Sequence, residues 1–149
     1  MEQPTERKVK VSRPGEGRAV HVVGDTYRLL GVGGDTDRQY VVMEATTPPG
    51  GGPPPHYHTR EEEGFYILDG EVEIRAGDET IRGTPGMFVN IPRHLPHGFK
   101  NVSDRPARLL VFCAPPGIED FFIEVDGKGP EDVIEAAARY GIHILPPAE

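Results

Sequence analysis

The stretch PPPHYHTREEEGFYILDG, residues 53–70, decides how this chain is read: two histidines one residue apart, three consecutive glutamates, then an apolar run that stops at a glycine. Side chains alternate along an extended segment, so His56 and His58 project to one side and Tyr57 to the other. Two imidazoles on one side can share a metal ion, and spacing alone lets Glu61, Glu62 or Glu63 fold back beside them as a carboxylate ligand. The pair carries little weight by itself. With six histidines in 149 residues, an H-x-H arises by chance in about one such chain in four.

Working outward, a second histidine-bearing block follows at 83–101, GTPGMFVNIPRHLPHGFKN, where a strand ends at Pro92 and the chain returns through His97 into a strand containing Phe99. Around both blocks, 19 glycines and 16 prolines punctuate short β-rich runs. The predicted strands are 19–23, 27–32, 39–45, 64–70, 72–76, 79–83, 87–91, 97–102 and 107–114, a spacing that indicates a sandwich or barrel. The clearest hairpin is GEVEIRAGDETIRG, with Val72 and Ile74 on one face, Glu71, Glu73 and Arg75 on the other, and Gly77-Asp78 at the turn. After residue 116 the period changes. Ile118, Phe121, Phe122 and Val125 recur at helical spacing, and a second helix fits PEDVIEAAARYG, with Pro130 at its start and Gly141 as its stop. Both helices are expected to cover the outside of the sheet. The division is therefore an N-terminal arm (1–17) whose KVKVS could pair with a neighbouring copy, a barrel (18–116) and a C-terminal helical segment (117–149) packed on it.

The 149 residues are about one domain's worth. A net charge of −8, with no long basic run, argues against a nucleic-acid partner. No segment approaches the ~20 apolar residues of a membrane span and the N-terminus lacks a signal-peptide pattern, so a soluble, cytoplasmic protein is expected. The single cysteine, Cys113, reads as a small buried hydrophobe, and the isolated His21 and His143 as structural or surface histidines.

Taken together, the two blocks resemble the paired motifs of the cupin superfamily. The first family pattern is glycine, five residues, H-x-H, three or four residues, glutamate, six residues, glycine; here it falls on Gly50, His56, His58, Glu63 and Gly70. Only Glu63 satisfies the gap to Gly70, which assigns Glu61 and Glu62 to a solvated face. The second pattern falls on Gly86, Pro92, His97 and Asn101. One position departs: His94 stands where the family usually has glycine, and histidine tolerates the left-handed backbone better than most residues. The tail, PPGIEDFFIEV and PEDVIEAAARYGI, is similar to that of small single-domain bacterial cupins described as quercetin 2,3-dioxygenase-like.

The resemblance implies an all-β double-stranded β-helix (jelly-roll barrel) with one or two C-terminal helices, a homodimer, and one divalent transition metal ion per chain held by His56, His58, Glu63 and His97. Three imidazoles and a carboxylate suit iron, manganese, nickel, cobalt, copper or zinc. The implied activity is a mononuclear metal-dependent dioxygenase acting on a small enolic or aromatic, flavonol-like substrate, with dioxygen as the second substrate. In that scheme the metal is Lewis acid and template, and Glu63 is both ligand and general base. Strand parity aims Phe65 and Ile67 inward with Glu63, and Phe99 with His97. Met43, Phe88 and Phe112 are further candidates for an apolar substrate pocket or for its core, as is Ile91, and His94 for the cavity mouth. Two other functions remain open: a non-oxidative metalloenzyme (isomerase, decarboxylase or cyclase) and a small-molecule binding cupin without catalysis.

Overall fold

The structure, a computed structural model, describes residues 6–146. The first five residues of the expected arm and the last three of the C-terminal segment lie outside this range. Eleven strands and two helices follow in chain order: β1 Arg18–Val22, β2 Asp25–Gly31, β3 Val41–Thr47, β4 His56–His58, β5 Glu62–Asp69, β6 Val72–Ala76, β7 Glu79–Gly83, β8 Phe88–Ile91, β9 His97–Asn101, β10 Ala107–Ala114, α1 Ile118–Val125, α2 Pro130–Arg139 and β11 Ile142–Ile144.

The strands form two antiparallel sheets, one in the order β1-β2-β3-β10-β5-β8 and one in the order β11-β4-β9-β6-β7. This is the jelly-roll that the motifs imply. Alternation creates the core between the sheets: along β3, Val41, Met43, Ala45 and Thr47 are buried while Val42, Glu44 and Thr46 are partly exposed, and β10 repeats the pattern with Ala107, Leu109, Val111 and Cys113. The expected hairpin is β6–β7, paired from Val72↔Gly83 to Ala76↔Glu79 around the two-residue turn Gly77-Asp78, with Val72 and Ile74 fully buried.

Two glycines of the first motif region are required by the backbone. Gly70 has φ +80, and a Cβ there would lie 2.9 Å from Ala107 Cα. Gly52 has φ +135, and its Cβ would run into the Phe99 carbonyl. His94 has φ 73, so it takes the left-handed turn where the family usually places glycine.

Three features differ from the sequence reading. The H-Y-H triplet is itself a strand, β4, pairing with β9 through His56↔His97. The C-terminal segment does not end in helices: β11 returns along β4 (Ile142↔His58, Ile144↔His56) and becomes the edge of the five-stranded sheet. Three residues are too short to stand out by periodicity, and this strand exists because β4 offers it an edge. The helices also do more than cover the outside of a sheet, since they close one end of the barrel with Ile118, Phe121, Phe122 and Val133 facing its interior cavity. Lys8–Ser12 pairs with no strand here; Ser12 Oγ donates to the Leu30 carbonyl at 2.7 Å while Val9 and Val11 are exposed. Among the described residues, no helix is long and apolar enough to cross a membrane.

Candidate metal centre

The site straddles the two sheets. β4 and β9 bring His56, His58 and His97 from one sheet, and β5 brings Glu63 from the other, where it stands opposite Cys113 on β10. Ligand atoms of these four residues all lie within 4.8 Å of one another. His56 Nε2 is 3.1 Å from His58 Nε2, Glu63 Oε1 is 2.8 Å from His97 Nε2, and His58 Nε2 is 3.7 Å from Glu63 Oε1. Two atoms each about 2.1 Å from one ion and at right angles to each other are about 3.0 Å apart, so the cluster fits a single first-row ion.

The far side of each imidazole supports the same conclusion. His56 Nδ1 donates to the Pro54 carbonyl at 2.8 Å and His97 Nδ1 to the Leu95 carbonyl at 2.9 Å. With an ion bound and Nδ1 carrying the proton, each Nε2 would present its lone pair to the common centre, as a metal-binding imidazole must. His58 is held by a carboxylate instead: its Nδ1 faces Glu61 Oε2 at 3.4 Å, both side chains are buried, and neither atom has a hydrogen bond. Glu61 was expected on a solvated face, yet it is only 3% exposed. The reason is a bend at Thr59–Arg60, tied down by the Thr59 amide on the Gly141 carbonyl and Arg60 Nη2 on the Arg139 carbonyl. That bend turns Glu61 inward and leaves Glu62 outside, where it accepts from Asn90 Nδ2 and the Arg93 amide. No sequence signal separates Glu61 from Glu62.

Charge in the cluster is set by competition. Burial opposes ionisation of Glu63, but the hydrogen bond with His97 and the three surrounding imidazoles override it and hold the carboxyl at about 2. Its Oε2 accepts from the Cys113 thiol at 3.4 Å. Burial, with the Glu63 charge beside it, pushes that thiol well above its usual range, so Cys113 is a buried, unreactive partner. His56 is pulled down to about 4, first by burial and then by its two imidazole neighbours. Burial works against protonation of His58 too, but Glu61 and Glu63 outweigh it and its pKa is raised.

The centre opens into a cavity of about 200 Å³. Phe65 and Phe99 line it as expected, along with the helices and the stiff Gly52-Pro53-Pro54 rim. Met43 and Ile67 do not; they are fully buried in the core. Phe88 and Phe112 face the other way: they are 59% and 36% exposed on the outer side of the six-stranded sheet. Phe112 falls between the inward Val111 and Cys113 on β10, and Phe88 pairs with Tyr66, which alternates outward between Phe65 and Ile67 on β5. His94 is exposed and reaches the site only through its amide, which donates to the His58 carbonyl at 2.8 Å. His143 stacks on Tyr57 at 4.8 Å, outside the cavity lining. Two polar cavity residues went unnoticed in the sequence, Asp25 and Tyr27 on β2. An acidic residue on the inward parity of a strand was the available signal.

A jelly-roll whose two sheets bring three imidazoles and one carboxylate to a common point is the architecture of a cupin. The chain belongs to the cupin superfamily, and the family profile described as Cupin domain matches residues 43–113. Among solved structures it is similar to the polyketide cyclase RemF from Streptomyces resistomycificus, 31% identical over 76% of this chain and 79% of that one, with a TM-score of 0.55. It is also similar to TT1209 from Thermus thermophilus, 36% identical over 52% of this chain and 74% of that one, with a TM-score of 0.50. KdgF from Halomonas sp. shares the fold at 18% identity and a TM-score of 0.66, over 74% of this chain and 98% of that one. No curated protein sequence matches the chain.

Proposed function

We propose that this cupin is a mononuclear metalloenzyme that acts on a small enolic or aromatic substrate, with Glu63 as ligand and proton acceptor. The observation that supports it best is an ionised, buried carboxylate set among three imidazoles at one end of a largely apolar cavity. A divalent transition ion held by His56, His58, Glu63 and His97 would supply Lewis acidity, lowering the pKa of a substrate hydroxyl and fixing its position. The surrounding imidazoles favour the ionised form of Glu63, which is the form that accepts a proton. A carboxylate of low pKa is a weak base, and it suits only an acidified hydroxyl. Phe65, Phe99 and the two helices exclude water from the place where negative charge would develop on the ring.

From the resulting enolate, a dioxygenase would add dioxygen to the ring, the reaction that the quercetinase-like resemblance implies. A second reading, an oxygen-independent cyclase, gains support from the 31% identity with the polyketide cyclase RemF. Both begin with the same deprotonation and diverge on oxygen.

The test is metal content by elemental mass spectrometry on wild-type protein and His56→Ala, followed by oxygen uptake with flavonols and related enols. About one first-row ion per wild-type chain, lost in the variant, with substrate-dependent oxygen consumption, is the expected result. Conversion without oxygen uptake selects the cyclase reading. Absence of metal even after reconstitution overturns both and leaves a binding protein.

A further inference from the structure

Outside the metal cluster, the cavity is lined by apolar side chains, proline and glycine, with two exceptions: Asp25 and Tyr27. They sit two apart on β2 and project to its buried face, 6% and 7% exposed. β2 is separated from the β5 strand of Glu63 by β3 and β10. Three inter-strand steps of about 4.8 Å put the two strands roughly 14 Å apart along the same sheet.

Their polar atoms are incompletely used. Asp25 Oδ1 accepts from Thr47 Oγ1 at 2.5 Å, and its other oxygen has no hydrogen bond among the described residues. The Tyr27 ring packs on Phe122 at 4.4 Å, but its hydroxyl has no hydrogen-bond partner among them either. A purely structural Tyr27 would be served as well by phenylalanine. A phenol and a carboxylate oxygen on an otherwise apolar cavity wall are the groups to which an occupant can bond. Burial and the negative charges of Asp25 and Glu63 raise the Tyr27 phenol well above its usual pKa, which keeps it a donor. Asp25 supplies the acceptor. One donor beside one acceptor is the complement of a hydroxyl group.

We propose that Asp25 and Tyr27 form a second polar anchor that selects apolar ring substrates carrying a hydroxyl at the edge away from the one addressed by Glu63. This deepens the metalloenzyme reading and rests on it for the orientation of the substrate, since the other edge is the one presented to Glu63. The cavity, at about 200 Å³, is smaller than the roughly 300–1,000 Å³ of common ligand clefts. A fused two-ring molecule is therefore the natural probe.

The experiment is calorimetric binding of 2-naphthol and 2,7-dihydroxynaphthalene to zinc-loaded wild-type protein, Tyr27→Phe and Asp25→Asn. Tyr27→Phe keeps the ring against Phe122, and Asp25→Asn keeps an oxygen for Thr47, so both variants should fold; matched melting temperatures check this. The wild type is expected to prefer the diol by about 10–30-fold, with the ratio falling to about 3-fold or less in either variant while the 2-naphthol affinity holds. An unchanged ratio in both variants overturns the proposal, as does a wild-type protein with no preference, through equal or absent binding. Binding is read without turnover, so a protein that discriminates the probes yet converts no ring substrate overturns the catalytic reading and leaves this anchor standing.

Discussion

His58 Nδ1 and Glu61 Oε2 face each other across 3.4 Å inside the barrel wall, and neither atom has a hydrogen bond among the described residues. Carboxylates behind metal-binding imidazoles fix ring orientation and raise ligand basicity. Glu61→Leu should therefore weaken zinc affinity by about 10–100-fold in chelator competition, with Glu61→Gln intermediate because its amide oxygen can still accept. Equal affinity in Glu61→Leu and wild type would reduce Glu61 to a packing residue.

The same pair sets a pH dependence. In the metal-free protein burial disfavours a charged His58, but Glu61 and Glu63 outweigh burial and raise its pKa above 6.5. His56, at about 4, is already neutral at pH 6, and Glu63, at about 2, is already ionised. Metal binding at pH 6 should thus expel the proton held by His58, and affinity should fall as the pH drops below the His58 pKa. Calorimetry in two buffers of different ionisation heat counts the protons. Zero release at pH 6 would contradict the assignment.

Glu63 separates binding from chemistry. Glu63→Gln keeps an oxygen for the ion and loses the base, so most of the metal should remain while turnover drops by about 10²–10⁴. His97→Ala removes a ligand and should lose both. Turnover retained in Glu63→Gln would remove the general-base role.

The barrel and the four-residue cluster were legible because each rests on a local rule. Alternation marks β3, β6 and β10, and the resemblance to the two cupin motifs implies His56, His58, Glu63 and His97. What escaped depends on non-local geometry. Glu61 is buried by a bend that the segment around Arg139–Gly141 holds in place, and β11 exists because β4 has an open edge. Parity from Cys113 turns Phe112 outward, whereas the direction of Phe88 follows from its pairing with Tyr66, a cross-strand register that the sequence does not give.

Gly70, at the end of the first motif, should not tolerate a side chain. Its φ of +80 and the 2.9 Å from a Cβ to Ala107 Cα predict that Gly70→Ala costs about 1–3 kcal/mol. Chemical denaturation measures this, and a neutral substitution would mean that the β5–β6 connection can relax.

The outer face of the six-stranded sheet yields the last prediction. Tyr66 pairs with Phe88 across β5 and β8, the Phe88 ring lies over Gly64, and Phe112 and Tyr40 complete an exposed aromatic face. Contiguous apolar patches of this kind are unusual on monomers. Glu62 lies on this face and the Arg108–Glu44 ion pair on the same sheet, so both charge signs are present for a two-fold mate to match. A second copy is accordingly the expected occupant, joined by an isologous contact. Light scattering should give a dimer for the wild type and a monomer for Phe88→Glu, with metal content unchanged because Phe88 is turned away from the centre. A wild-type monomer at micromolar concentration, or a dimer indifferent to Phe88→Glu, would remove this face as the interface and bring forward strand exchange through the Lys8–Ser12 segment, where Val9 and Val11 are exposed.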